Sequence, residues 1–183
     1  MVGLVLVAAV AAGCSTDPAE PVTTDRRGED GQPAYCAGEG GRDAGFWDLV
    51  HATCTAAQDG DVEQAAALRE ALGQLPAEDV ADFHRTFVRL NRALVPARRV
   101  ADAICAPGLG LGRELGTDYR SWVIAHGQAA YEAVVADPQL LRDFPDAELG
   151  CGRGEPIGDA ALEVYLEKTG LDADESGLPT LER

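Results

Sequence analysis

The sequence predicts an all-α fold: a single compact domain of about six to seven helices that follows a disordered N-terminal tether. Apolar residues recur at spacings of three and four in several segments, which is the period of a helix with one buried face. No segment shows the sustained apolar–polar alternation of a half-buried strand. We therefore predict a signal peptide at 1–13, a tether at 14–42, a helical domain at 43–171 and an acidic tail at 172–183.

The first two helices are predicted from the residues at their starts. Asp43 is a suitable N-cap for the first helix. Asp61 caps the second, and Gln64, three residues later, has the spacing of a capping box. The apolar faces consist of Phe46, Trp47, Val50 and Cys54 in the first helix, and of Ala65, Leu68, Leu72 and Leu75 in the second.

The third helix has the clearest pattern. Pro76 suits a first helical turn, and Glu78 and Asp79 place negative charge near the positive end of the helix dipole. Pro96 then interrupts the helix, and a short fourth helix runs to about Cys105. The buried stripe of the third helix is predicted to be Val80, Phe83, Phe87, Leu90 and Leu94.

The second half of the domain is predicted to contain one long helix and two shorter ones. GLGLGRELG is interpreted as a loop, after which Thr117 caps a fifth helix from about Asp118 to Ala136. Asp137-Pro138 stops it. A short helix, PQLLRDF, precedes the last one, GDAALEVYLEKT, which ends at Gly170.

The start of the chain resembles an export signal. The uncharged run Val2–Ala12 is shorter than the roughly 20 residues of a membrane span and has the length of a signal-peptide core. The segment Ala11-Ala12-Gly13-Cys14 resembles the bacterial lipobox. We predict a palmitate-bearing lipoprotein, lipidated at Cys14 and located on the extracytoplasmic face of the cell membrane. An ordinary secretory signal with an incidental cysteine is the alternative.

The charge of the chain limits its partners. With 31 acidic and 15 basic residues the formal net charge is −16. Such acidity argues against nucleic acid, whose phosphates require a basic surface. It also argues against adhesion of the domain to anionic lipid, so membrane contact is predicted through the lipid anchor only.

The other four cysteines are Cys36, Cys54, Cys105 and Cys151. An even number in an oxidising compartment favours two disulfides, and three pairings exist. We prefer Cys54–Cys105 with Cys36–Cys151, because the first two lie on predicted helices and the others in Gly-rich loops. Unpaired buried thiols are the alternative.

The stretch YRSWVIAHG (119–127) concentrates large polar and aromatic side chains. Trp122 and His126 are four residues apart and so share a helix face. Together with Arg120 they could bind an anionic or aromatic ligand. The alternative is that Tyr119 and Trp122 pack the core while Arg120 pairs with an acidic residue.

A second candidate surface is a basic stripe at helical spacing, formed by Arg85, Arg89 and Arg92. In so acidic a protein it could contact an acidic partner or the face of another protomer. The alternative is local pairing with acids and complementation of the helix dipole, each worth tenths of a kcal/mol.

Catalytic motifs are weak. His51, His84 and His126 lie on different predicted helices, with no closely spaced pair of metal ligands. Ser121 is the one serine within the predicted core elements, and it is not in a G-x-S-x-G turn. No catalytic residue, no metal site and no cofactor is predicted.

The tail contains a partial calcium-loop pattern. Asp172, Asp174, Ser176 and Gly177 have the spacing of the start of an EF-hand loop, but the closing Glu182 comes one place early. A disordered acidic tail is therefore predicted.

Four segments together are similar to a bacterial helical family, the domain of unknown function 4240 family. They are FWDLV (46–50), LREALGQLPAEDVADFHRTF (68–87), YRSWVIAHGQAAYEAVVADPQLL (119–141) and ALEVYLEKTG (161–170). The most specific part is the Arg-x-Trp-aliphatic-Ile-x-x-Gly core at 120–127. The resemblance implies a helical fold and supplies no activity and no catalytic residues.

The sequence thus favours a non-enzymatic extracytoplasmic lipoprotein whose helical domain binds a protein or ligand outside the cytoplasm. The alternative is a small extracytoplasmic hydrolase that uses carboxylates and His126. A core-buried Trp122 with Arg120 locked in a buried ion pair would favour the binding or structural interpretation. A cleft that joins His126 to an acid, with Arg120 facing solvent, would favour the hydrolase.

Overall fold

The fold is all-α, as predicted, in a computed structural model that describes residues 36, 40–56, 61–105, 112–144, 147 and 150–181. These ranges contain α1 (Ala44–Ala56), α2 (Asp61–Gly73), α3 (Ala77–Ala93), α4 (Arg98–Cys105), α5 (Arg113–Ala125), α6 (Gln128–Ala136) and α7 (Glu155–Thr169). Two 3-10 helices lie at Val95–Ala97 and Pro138–Asp143. No strand occurs in the described ranges. The predicted signal peptide, Cys14 and nearly all of the tether lie outside them.

α7 is the central helix of the domain, packed against α2, α3 and α5. Small side chains on its buried face, Ala160 and Ala161, allow these neighbours to approach closely. The closest approach is at Gly154, the residue before α7. A Cβ there would overlap the Asp118 carbonyl oxygen and lie 2.6 Å from the Trp122 backbone nitrogen. Glycine at 154 therefore sets the spacing of α5 and α7.

The α3 stripe is confirmed, because all five of its predicted residues are buried. Pro76 is the N-cap of α3, with Glu78 and Asp79 in the first turn. Phe83 stacks on Phe46 of α1, with ring centroids 4.4 Å apart. Full burial of one such large side chain contributes about 1.5–3 kcal/mol, so this stripe is a main source of stability.

The predicted long fifth helix is wrong at its start and in its middle. α5 begins at Arg113, so part of the predicted loop is helical and Thr117 lies inside the helix rather than capping it. The helix stops at Ala125, and α6 starts after Gly127. Gly127 has φ +93°, which an L side chain rarely adopts, so it interrupts the helix.

The cysteines form two disulfides, as predicted, but the preferred pairing is wrong. Cys36 is bonded to Cys54, and Cys105 to Cys151, with Cα–Cα distances of 5.6 and 5.5 Å. Pairing requires Cα atoms within about 7 Å. Each bridge therefore joins a cysteine of a helix to one outside the helices, instead of joining like with like. We call them the N-terminal disulfide and the C-terminal disulfide.

The last described residues are ordered against the domain, which corrects the predicted disordered tail. Leu178 is buried, and Leu181 packs against the core. Gly170 ends α7 as predicted, with φ +68°. The calcium-like residues instead form a turn in which the Ser176 amide donates to the Asp172 carbonyl at 3.0 Å.

No helix in the described part of the chain is long and apolar enough to cross a membrane.

Candidate functional site

The stretch 119–127 forms the last turns of α5 and the break that follows. Three distant segments satisfy the backbone groups exposed at this break. The Gln64 side chain donates to the Ala125 carbonyl at 2.8 Å, and the Cys36 amide donates to the His126 carbonyl at 2.7 Å. The Gln128 amide, at the start of α6, donates to His51 Nε2 at 3.0 Å. Buried backbone groups need such partners, so the break is a built structural joint.

Gly127 is required by close contacts as well as by its backbone angle. A Cβ at this position would lie 3.0 Å from His51 Cδ2 and 3.1 Å from the Cys36 Cα. The chain can therefore bring α1, residue 36 and α6 together only if residue 127 has no side chain.

A buried polar cluster lies between α3 and α5, formed by Asn91, Thr117, Arg120 and Ser121. Arg120 Nε donates to Asn91 Oδ1 at 2.7 Å, and an Arg120 Nη donates to Thr117 Oγ1 at 2.9 Å. Asn91 Nδ2 donates to Ser121 Oγ at 2.9 Å and to the Thr117 carbonyl at 3.1 Å. We call these four residues the Asn91 cluster.

The Asn91 cluster links α3 to α5 rather than facing solvent. Arg120 is only 9% exposed and the other three residues are 1% exposed or less. Hydrogen bonds between a charged donor and a buried partner contribute about 1.5–3 kcal/mol. The Ser121 hydroxyl accepts from Asn91 and donates to the Thr117 carbonyl at 3.1 Å. It is thus engaged in holding helices together.

Trp122 is a core residue with 4% exposure. Its ring lies 5.2 Å from that of Tyr119 and 5.7 Å from that of Phe144, between centroids. A Cβ at Gly150 would lie 2.7 Å from Trp122 ring atoms, so this segment covers the indole. The packing role that was the alternative in the sequence is the one observed.

His126 is half-buried at the α5–α6 break. Its Nδ1 lies 2.8 Å from the Trp122 carbonyl oxygen. Because a carbonyl accepts only, Nδ1 carries the proton in this contact. The imidazole also meets the Trp122 ring edgewise at 4.2 Å. Arg120 and Trp122 lie in α5, and His126 directly follows it. In the described contacts the three side chains do not come together at one surface site.

The three histidines serve three different backbone groups. His51 accepts from the Gln128 amide, His84 contacts the Pro179 carbonyl at 2.7 Å, and His126 contacts the Trp122 carbonyl. Within the ranges that the structure describes, no three His, Cys, Asp or Glu side chains are grouped as metal ligands.

The basic stripe lies on the solvent side of α3. Arg85 pairs with Asp82 at 2.5 Å and Arg89 with Asp43 at 2.7 Å. Arg92 is placed toward the Thr180 carbonyl, at 3.5 Å. Both arginines of the ion pairs are about half exposed, and exposed pairs of this kind contribute about 0.2–1 kcal/mol. The local pairing expected from the sequence is thus present, and it is weak.

Sequence reasoning missed Asn91 as a central residue. It is the single asparagine of the chain, and it follows Leu90 on the buried side of α3. A polar residue on an apolar stripe was the available signal, because buried polar groups must find partners. Its partners could not be deduced, because Thr117 and Ser121 are more than 25 residues away.

The described fold and contacts define a class: an all-α, disulfide-linked domain organised by a buried polar cluster and a glycine break in its central helices. The chain belongs to the family described as protein of unknown function (DUF4240), whose model matches residues 42–169. The Arg120–Gly127 core lies within that match. Searches of curated proteins and of solved structures found no match to the chain.

Proposed function

We propose that this protein is an extracytoplasmic, lipid-anchored binding protein whose helical domain recognises an acidic protein segment or anionic ligand. The observation that carries the proposal is the inward placement of Arg120 and Trp122, together with an exposed arginine stripe on α3. The inward placement of Arg120 and Trp122 argues against a reaction centre on α5. The exposed arginines of α3 supply a surface for a partner.

The two disulfides support the proposed compartment. Disulfides form and persist in oxidising environments and are rare in the cytosol. The N-terminal disulfide closes 18 residues and the C-terminal one 46 residues. Both tie segments outside the helices to helices, which suits a domain exposed outside the cell.

Binding at another surface is favoured over hydrolysis because the hydrolase alternative requires Arg120 to face solvent beside His126, and Arg120 is buried. Arg120 is bonded to Asn91 and Thr117. Trp122 is covered by neighbouring rings and by the Gly150 segment. An exposed Arg120 beside a catalytic His126 would have supported the hydrolase.

The α3 arginines suit an acidic partner. In a protein with a formal net charge of −16, Arg85 and Arg89 concentrate positive charge on one helix face. Both arginines are about half exposed, and the Arg85–Asp82 pair, whose acid is 69% exposed, is therefore weak. A partner carboxylate can replace the exposed Asp82 at small cost, and complementary charge mainly raises the rate and specificity of association.

Location is tested by replacing Cys14. The full chain and its Cys14→Ala variant are expressed in a bacterial host and separated into membrane and soluble fractions. We expect membrane retention and labelling with palmitate for the natural chain, and loss of both for the variant. Membrane retention that survives the substitution would overturn the lipid anchor.

The partner surface is tested by charge removal at matched positions. Arg85→Gln/Arg89→Gln is compared with Arg142→Gln/Arg153→Gln, which makes the same charge change at exposed arginines elsewhere. Arg92 is kept because it faces Thr180. We expect crosslinked partners from native membranes to be lost with the first pair and kept with the second. Equal recovery with both pairs would exclude the α3 surface.

A further inference from the structure

The residues after α7 form a strap, defined as 171–181, that returns over the domain. Gly170 (φ +68°) and Gly177 (φ +64°) allow the turn between them. The chain then passes back to the start of α7, where a Cβ on Gly158 would lie 3.1 Å from Leu181 Cδ1. The strap lies beyond the 42–169 range of the family match.

Two apolar side chains and two carbonyls hold the strap. Leu178 is buried, and Leu181 packs on the core. The Pro179 carbonyl lies 2.7 Å from His84 Nε2 and the Thr180 carbonyl 3.5 Å from an Arg92 nitrogen. The His84 contact is the shorter of the two and is the one made by a buried side chain.

His84 is chemically unusual among the residues beneath the strap. It is 1% exposed, on the inner side of α3. Because the Pro179 carbonyl accepts only, His84 Nε2 carries the proton, and Nδ1 has the lone pair. Among the described residues, Nδ1 has no hydrogen-bond partner and is shielded from solvent. A second proton would have to be placed on this atom.

We propose that His84 makes the strap a pH-sensitive latch: the strap is docked on α3 while the imidazole is neutral and detaches when Nδ1 takes up a proton. Protonation places a charged N–H in a site without an acceptor, and burying an unpaired charge is costly. Detachment removes the Pro179 carbonyl from the ring and admits water to its edge.

The charges around His84 do not reverse this direction. Burial is the largest effect and lowers the pKa of His84 from the ordinary 6.5. The Pro179 carbonyl and Asp159 of α7 raise the pKa, and Arg85 of α3 lowers it, by smaller amounts. The pKa is lowered relative to a hydrated imidazole, and in our proposal undocking hydrates the ring, so the docked state binds fewer protons. Docking is thus complete above about pH 6.5 and weakens as the pH falls below it.

The test follows the strap by NMR in the full mature chain with both disulfides intact. Methyl resonances of Leu178 and Leu181 report docking, and those of Leu68 and Leu72, fully buried in α2, report the core. Between pH 8 and pH 5 we expect the undocked-to-docked ratio to rise by up to tenfold per pH unit below about 6.5. The core methyl resonances should stay in place.

Two variants identify the titrating group. His84→Gln keeps a side-chain donor for Pro179 but cannot titrate, so its strap methyls should not respond to pH. Asp172→Asn/Glu175→Gln removes strap carboxylates, whose ordinary pKa is near 4, and should respond like the natural chain. If the glutamine variant does not fold, the His84 ring resonance in the natural chain must titrate with the same midpoint as the strap methyls.

Three results would overturn the latch. They are strap methyls that do not move between pH 8 and 5, an undiminished response in His84→Gln, and core methyls that shift together with the strap. The last would mean global unfolding rather than release of one segment.

Discussion

Replacing Gly154 should destabilise the domain more than any ordinary glycine substitution. The backbone at 154 has φ −81° and ψ −4°, which alanine adopts easily, so the effect is steric. The added Cβ would overlap the Asp118 carbonyl oxygen, 2.7 Å from its carbon and 2.6 Å from the Trp122 nitrogen. These are backbone atoms of α5 and cannot rotate away. Overpacking costs about 1–3 kcal/mol and occasionally more; we expect about 3 kcal/mol for Gly154→Ala.

Two further variants isolate the cause. Gly154 is also the N-cap of α7, where serine is preferred to alanine. Gly154→Ser should therefore be as unstable as Gly154→Ala if the Cβ is responsible, and should recover if capping is. Gly73→Ala, at the end of α2 with no atom near its Cβ, should be equal to or slightly more stable than the natural protein.

The stability of all three variants is measured by thermal unfolding, monitored by circular dichroism with the disulfides intact. A loss of 3 kcal/mol corresponds to a fall in Tm of about 10 °C for a domain of this size. A Tm for Gly154→Ala within about 2 °C of the natural protein would refute the close approach of α5 and α7.

Three other perturbations test separate parts of the structure. Asn91→Ala should lower the free energy of unfolding in urea by about 3 kcal/mol, because it removes the acceptor of the buried Arg120 Nε and opens a gap in the cluster; a loss below 1 kcal/mol would contradict the cluster. In the chain-entropy view, replacing both cysteines by serine should cost about 4 kcal/mol for the C-terminal disulfide and about 3 kcal/mol for the N-terminal one; the reverse order in urea melts would contradict it. Burial raises the pKa of Tyr131 to about 12 from 10.0, so its contribution to stability is complete below pH 10 and is lost as the pH rises through 12. An ultraviolet titration should show a late-titrating phenol whose contribution is lost in Tyr131→Phe.

The parts of the fold that depend on local pattern were predictable. The α3 stripe was correct because burial of one helix face is encoded at spacings of three and four. The end of α7 at Gly170 was correct because a left-handed residue after a helix is usually glycine. Both signals lie within one or two turns of the residues that they describe.

The parts that depend on distant partners were not predictable. Gly127 appeared to be an ordinary interior residue of a long helix, because Gln64, Cys36 and His51, which make the break stable, are far from it in sequence. The disulfide pairing required knowing which loop lies beside which helix. The candidate site was likewise only partly predictable. Arg120 was recognised as a candidate residue, but its side chain points inward because it bonds to Asn91, 29 residues away.

The N-terminal disulfide also determines how the domain would respond to a mechanical pull. Cys36 is held twice, covalently to Cys54 on α1 and through its amide to the His126 carbonyl at the α5–α6 break. Tension applied to the chain before Cys36 therefore reaches α1 directly and cannot peel away residues 37–53 one by one. The load is delivered to the middle of the helical domain, so extension before rupture is limited to the chain that precedes the bridge. Reduction of this one bond would add the seven residues between Cys36 and the start of α1 at Ala44, roughly 25 Å when fully extended, to what can be drawn out before α1 is strained.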